Sequence, residues 1–218
     1  MDRDELWRVV DDQREALTAQ LEDLTDEEWR RPSLCAQWSV RDVVAHLTLQ
    51  HVGVGEALAG VVRARGNVAN AIRDAARAKA AAPTAALTAE IRGHIGSRRH
   101  VPFMTDHEAL IDVVVHGQDI MLPLDRRLDV PPHAAAAAAA RIWARPSLFA
   151  AMKPLRGYAF AATDTDFRVG DGPLVEGPAV AVLLLMTGRP VLLPRLTGPG
   201  AHALRGPSET APGGATGG

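Results

Sequence analysis

Apolar and polar positions follow a helical rhythm up to about residue 153 and a mixed, strand-rich one beyond it. Leu6, Val9, Val10, Gln13, Leu17, Leu21 and Leu24 recur at intervals of three and four against a charged face, which predicts an amphipathic helix over Asp4–Leu24. Thr25, with Glu28 three residues on, is a capping box opening a short turn through Trp29. After the loop RRPSLCAQW, Ser39 and Asp42 repeat that signature and predict a second, long helix from Val40 to Arg65. At 1.5 Å per residue it would span roughly 35–40 Å. Gly53, Gly55 and Gly60 weaken that helix, or mark a close helix contact or a bend. From Gly66 to Arg99 the chain is rich in Ala and Arg and breaks at Pro83, with Thr84 placed to cap the second half. Thr105 and Glu108 form a third capping box and start a helix that Pro123 ends. Pro131 and Pro132 then open PPHAAAAAAARIW, a helix by propensity alone.

After Pro154 the texture changes. YAFAAT and DFRV read as short strands, followed by the turn GDGP. Pro178 opens an apolar helix that stops at Gly188, and a strand-like piece covers Val191–Leu196. The Gly/Pro/Ser/Thr-rich end from Gly206 has the composition of a disordered tail. These patterns divide the chain into a helical bundle at 1–153, a small α/β segment at 154–206 and a tail at 207–218, without internal repeats.

The stretch Thr105–Met121 is apolar nearly all the way round, the mark of a helix buried among others. Asp112 and His116 interrupt it and, four apart, share one helical face about 5–6 Å apart at Cβ. Burying either unpaired is costly. A divalent metal would satisfy both, with a third ligand from another helix. His46 is the candidate, on the inner stripe with Val43, Leu47, Val54 and Leu58. The competing reading makes His46 a core histidine bonded to a carbonyl or to Asp42. His51, five residues on, points elsewhere and reads as solvated. Two imidazoles and one carboxylate leave a position for water or substrate, as in catalytic zinc sites. Nickel, iron or manganese could also use it. Asp119, three beyond His116, suits an imidazole N–H, whereas Glu108 lies two turns away, about 12 Å.

Composition narrows the classes of function. The 218 residues make one large domain or a domain and a half, 47% hydrophobic and 23% charged, as in ordinary globular proteins. A net charge of −2 offers no electrostatic case for nucleic acid or an anionic membrane. The single Cys35 excludes an internal disulfide and suits a reducing compartment. MDRDELWRVVDD lacks the apolar core of a signal peptide, and the run Ala179–Thr187 is too short to span a bilayer. A soluble cytoplasmic protein is the expectation. There is no phosphate loop, GxSxG elbow or CxxC pair, and Cys35 has no local His to activate it. Arg73, Arg77, Arg92, Arg98 and Arg99 read as a solvated face.

QWSVRDVVAHL (Gln37 to Leu47), preceded by Cys35, together with DVVVHGQDI (Asp112 to Ile120), resembles the mycothiol-dependent maleylpyruvate isomerase family. That family belongs to the DinB-like metal-binding bundles. ATDTDFRVGDGPLVEGPAVAVLLLMTGRP is similar to the α/β appendage many such proteins carry, so the resemblance covers most of residues 5–205. It implies a mainly α fold, a DinB-like four-helix bundle with a small C-terminal α/β appendage. It also implies metal ligands at His46, Asp112 and His116, with Asp where the family often has the longer Glu. Mycothiol would be cofactor or cosubstrate, its thiol ionising at the metal's open position. The thiolate would add to an electrophilic carbon, either isomerising a cis double bond or transferring the thiol. Arg189, in the GRP turn, is placed to hold a substrate carboxylate or to cap the preceding helix's carbonyls. The expectation is a metal- and mycothiol-dependent isomerase or transferase acting on a small electrophile, as monomer or homodimer. The alternative is a non-catalytic metal-binding module in stress response or small-molecule binding.

Overall fold

The computed structural model describes residues 1–100 and 104–206; the tail expected at 207–218 lies outside the described residues. Among the described residues ten α-helices and three strands follow in order: α1 (Arg3–Glu22), α2 (Asp26–Arg30), α3 (Val40–Thr48), α4 (Val54–Arg63), α5 (Val68–Lys79), α6 (Thr84–Gly93), α7 (Asp106–Met121), α8 (Pro132–Ala144), β1 (Ala159–Ala162), β2 (Arg168–Val169), β3 (Leu174–Gly177), α9 (Ala179–Met186) and α10 (Pro199–Arg205). The capping boxes read from sequence are all formed: Thr25 with Glu28, Ser39 with Asp42, and Thr105 with Glu108.

Helices α1, α3, α6 and α7 make a four-helix bundle in which α1 packs on α6 and α7, and α3 packs on the same two. The stripe Leu6, Val10, Leu17 and Leu21 of α1 meets α7, where Leu110, Val114 and Ile120 are fully buried. Burying side chains of this size contributes about 1.5–3 kcal/mol each before conformational entropy is subtracted. Helix α8 lies on α7 and carries the core across to α9, which is buried at every position except Val180. The sheet has the order β2-β1-β3, with β2 antiparallel and β3 parallel to β1. Among the described residues no helix is long and apolar enough to cross a membrane.

In its helices and strands the structure departs from the sequence expectations at four places. The long second helix is broken: α3 ends at Thr48, a 3-10 turn covers Leu49–His51, and Gly53 caps the separate α4. The Thr48 hydroxyl donates back to the Ala45 carbonyl, and Gly53 and Gly55 withhold helix propensity where α4 would have continued. Thr84 is the first helical residue of α6 and Pro83 is its cap; Thr84 contributes its carbonyl, which accepts from Thr88. Val191–Leu196 is no strand: Pro190–Arg195 forms a 3-10 helix, since Pro190 and Pro194 lack the N–H groups a ladder requires. Strand β3 was not anticipated. It exists because β1 offers Leu174–Gly177 a parallel partner and Glu176 bridges to Thr197.

Candidate metal centre

Helices α3 and α7 pack side by side and bring the residues singled out from sequence together. His46 lies in the last turn of α3; Asp112 and His116 stand one turn apart in α7. The two imidazole rings meet edge to face, centroids 4.9 Å apart, and Trp38 packs edge-on against His46 at 5.4 Å. Both Nε2 atoms face one carboxylate oxygen, Asp112 Oδ1, at 3.5 Å from His46 and 3.3 Å from His116. These separations are long for hydrogen bonds. They match a different arrangement: two donors each 2.0–2.1 Å from a tetrahedral ion lie about 3.4 Å apart. The three side chains offer donors all within 4.8 Å of one another, a set that can hold a divalent ion. Their side chains are 16–28% exposed, so the group is reached from solvent.

The electrostatics are those of a tight triad. Burial pushes the Asp112 carboxyl up, but the charge of His46 and the bonds to His116 and His46 overcome it and hold the group well below the ordinary carboxylate range. Burial likewise disfavours charge on His116, yet its bonds to Asp112, Asp119 and Cys35 raise it well above an ordinary histidine. Asp119 fills the role expected of it. Its fully buried carboxylate lies 2.7 Å from His116 Nδ1, so that Nε2 is the ring nitrogen left to face Asp112 and His46. His46 Nδ1 is buried with no partner among the described residues, so packing against Trp38 and His116 sets that ring instead.

Arg189 takes the capping role weighed from sequence and, in the same position, pairs with a carboxylate of the protein itself. Its Nη1 donates to the Thr187 carbonyl at 2.6 Å, closing the end of α9. Nε and Nη2 fork onto Asp119 at 2.9 and 2.7 Å, and Nη2 also reaches Cys35 Sγ at 3.3 Å. Four of its five donors are thereby engaged. Burial pushes the guanidinium down, but Asp119 more than restores it. Asp119 in turn is raised by burial and brought far below the usual range by His116 and Arg189.

Three residues at the centre were not singled out from sequence. Cys35, dismissed for want of a histidine, lies 3.7 Å from His116 Nδ1 and 3.0 Å from Asp119 Oδ2. The Leu34 N–H bonds the Asp119 carbonyl and pins its loop there. Gln50, on the 3-10 turn, donates to Asp112 Oδ2 at 2.6 Å, and the buried Arg14 of α1 donates to Gln50 Oε1 at 3.0 Å. Arg14 carried a visible signal: it falls on the apolar stripe, four after Val10 and three before Leu17. His51 also corrects the expectation of a solvated ring. It stacks on His94, centroids 3.7 Å apart, with a buried Nε2, because the helix break turns it inward.

The profile of the mycothiol maleylpyruvate isomerase N-terminal domain matches residues 10–121, just over half of the chain and the stretch that holds all three donors. The chain belongs to the mycothiol maleylpyruvate isomerase family. The crystal structure of a mycothiol-dependent maleylpyruvate isomerase is similar to it over 92% of this chain and 94% of the other, at 13% identity and a TM-score of 0.63. A histidine-to-alanine mutant of such an isomerase is similar at 12% identity, with the same coverage and TM-score. At these identities the likeness is one of fold, a mainly α bundle with a small C-terminal α/β part. No curated protein matches the sequence.

Proposed function

We propose that this member of the family is a metal- and mycothiol-dependent isomerase or thiol transferase, with one divalent ion, zinc, held by His46, Asp112 and His116. The observation that carries the reading is the pair of Nε2 atoms at 3.5 and 3.3 Å from one Asp112 oxygen, in a triad open to solvent. A divalent ion bound there would ionise a coordinating thiol and so supply a nucleophile at neutral pH.

The protein's own residues do the rest. Asp119 accepts the His116 Nδ1 proton and keeps Nε2 available as a donor atom. Arg189 brings positive charge to the wall of the site through Asp119, and its remaining N–H suits an anionic group such as the carboxylate of a small electrophilic substrate. Because Arg189 follows α9, residues 154–206 would act as a small α/β unit completing a site otherwise built on the bundle of residues 1–153.

Calorimetric titration of metal-loaded and metal-free protein with mycothiol, in two buffers of different ionisation enthalpy, tests the reading. Binding that requires the metal and releases a proton is the expected result, since the thiol must ionise to coordinate. Equal affinity for both forms, or no proton release, would favour a metal-binding module without thiol chemistry.

A further inference from the structure

Asp112 has two carboxylate oxygens, and they face different partners. Oδ1 faces the two imidazoles, while Oδ2 accepts the Gln50 amide at 2.6 Å. Gln50 is buried, 7% exposed, on the 3-10 turn that interrupts the second helix. A glutamine amide can be turned either way, and its neighbours decide which. Here the neighbour is Arg14 Nη2, 3.0 Å from Oε1. A guanidinium has only donors, so it takes the amide oxygen and leaves the NH2 for Asp112. Arg14 is itself buried and fixed: Nη1 donates to the His94 carbonyl at 2.7 Å and the Ser97 carbonyl at 3.3 Å, and Asp11 lies 3.5 Å away. The line Arg14–Gln50–Asp112 therefore runs from α1 through the turn after α3 to α7, anchored at the end of α6.

The geometry points to Gln50 as a positioning residue for the metal centre, with Arg14 orienting its amide, so that Asp112 presents Oδ1 alone to the ion. The inference rests on the metal reading above and adds to it. Asp112 with both oxygens free could take two positions on one ion; with Oδ2 occupied it takes one, and a position stays open for a thiol.

The test uses the full-length protein with zinc alone and cobalt(II) alone. Zinc affinity is measured by competition with a chromophoric chelator, and the visible spectrum of the cobalt form reports coordination number, four-coordinate cobalt absorbing far more strongly than five-coordinate. Gln50→Met keeps the length of the side chain and loses the amide. It is expected to bind zinc about 10–100-fold more weakly, as loss of a partner to a metal-ligating carboxylate does. Its cobalt bands should also weaken as Oδ2 joins the ion, a change that general loosening of the fold would not produce. Arg14→Lys keeps a charge but loses the fork that orients the amide, and a several-fold weakening is expected. Should Gln50→Met fail to fold, Arg14→Lys decides. Zinc affinity and cobalt spectra unchanged in the folded variants, with His116→Ala unable to bind, would overturn the positioning role and leave the metal site standing. A wild-type protein that binds neither ion would overturn both.

Discussion

His116 presents its two ring nitrogens to two carboxylates, Nε2 toward Asp112 and Nδ1 toward Asp119 at 2.7 Å. That division sets His116 apart from His46, whose Nδ1 is buried with no partner among the described residues. Metal analysis of the purified protein should find about one divalent ion per chain, as a three-ligand site implies. His46→Ala or His116→Ala should lose it, whereas His51→Ala and His107→Ala should keep it; equal loss in all four would mean unfolding instead. Asp119 is the residue whose loss should be felt most in stability. Its carboxylate has no exposure and faces Arg189, His116 and Cys35 together. Asp119→Asn leaves a largely buried guanidinium, 18% exposed, without its counter-ion and should destabilise by about 3 kcal/mol in urea unfolding. A loss below about 1 kcal/mol would show that solvent reaches the pair.

At the scale of elements, caps and breaks matter more than helix length. Ser39 opens α3, the helix that carries His46, with both halves of its capping box in place at 2.7–3.3 Å. Ser39→Ala should cost about 1 kcal/mol of stability by chemical denaturation, with the rest of α3 held by its packing on α6 and α7. The break at Thr48 has a structural consequence that an unbroken helix would lack: it turns Gln50 and His51 toward the bundle. In the C-terminal part, a Cβ on Gly172 would fall on the Gly157 carbonyl, and one on Gly200 would come within 2.5 Å of the Pro173 carbonyl. The small sheet therefore depends on close backbone approaches that a pattern of apolar residues does not announce.

For the molecule as a whole, acid should act through the His51–His94 stack where α6 meets the turn after α3. Burial first, then the nearby His51, Arg14, Lys79 and Arg99, lowers His94 to about 4; burial, Arg14 and Arg99 lower His51. Both rings hold a proton less readily in the folded protein than in the unfolded chain. Between an unfolded value of 6.5 and a folded value of about 4 the unfolded chain binds more protons, so stability falls as the pH drops through that window, by roughly 3 kcal/mol for His94. Urea midpoints recorded from pH 7 to pH 4 should decline, and His94→Gln should flatten the decline. An identical slope in that variant would assign the acid loss to other groups.

Local sequence determined the features that depend on residues a few positions apart. The stripe of α1, the three capping boxes, the buried α7 and the i, i+4 pair Asp112–His116 follow from helical periodicity and from caps that bond within one turn. His46 was reachable through Val43 and Leu47, buried on the inner face of α3, whereas Val54 and Leu58, expected on the same stripe, lie exposed on the separate α4. Tertiary structure decided everything that joins distant segments. Cys35 meets His116 across 81 residues, Arg189 meets Asp119 across 70 and Gln50 meets Asp112 across 62. Strand β3 and the 3-10 helix after α9 were likewise settled by partners elsewhere in the chain or by missing N–H donors. A polar side chain in a sequence shows only that it needs a partner; which group supplies it depends on which helices pack together and where a helix stops.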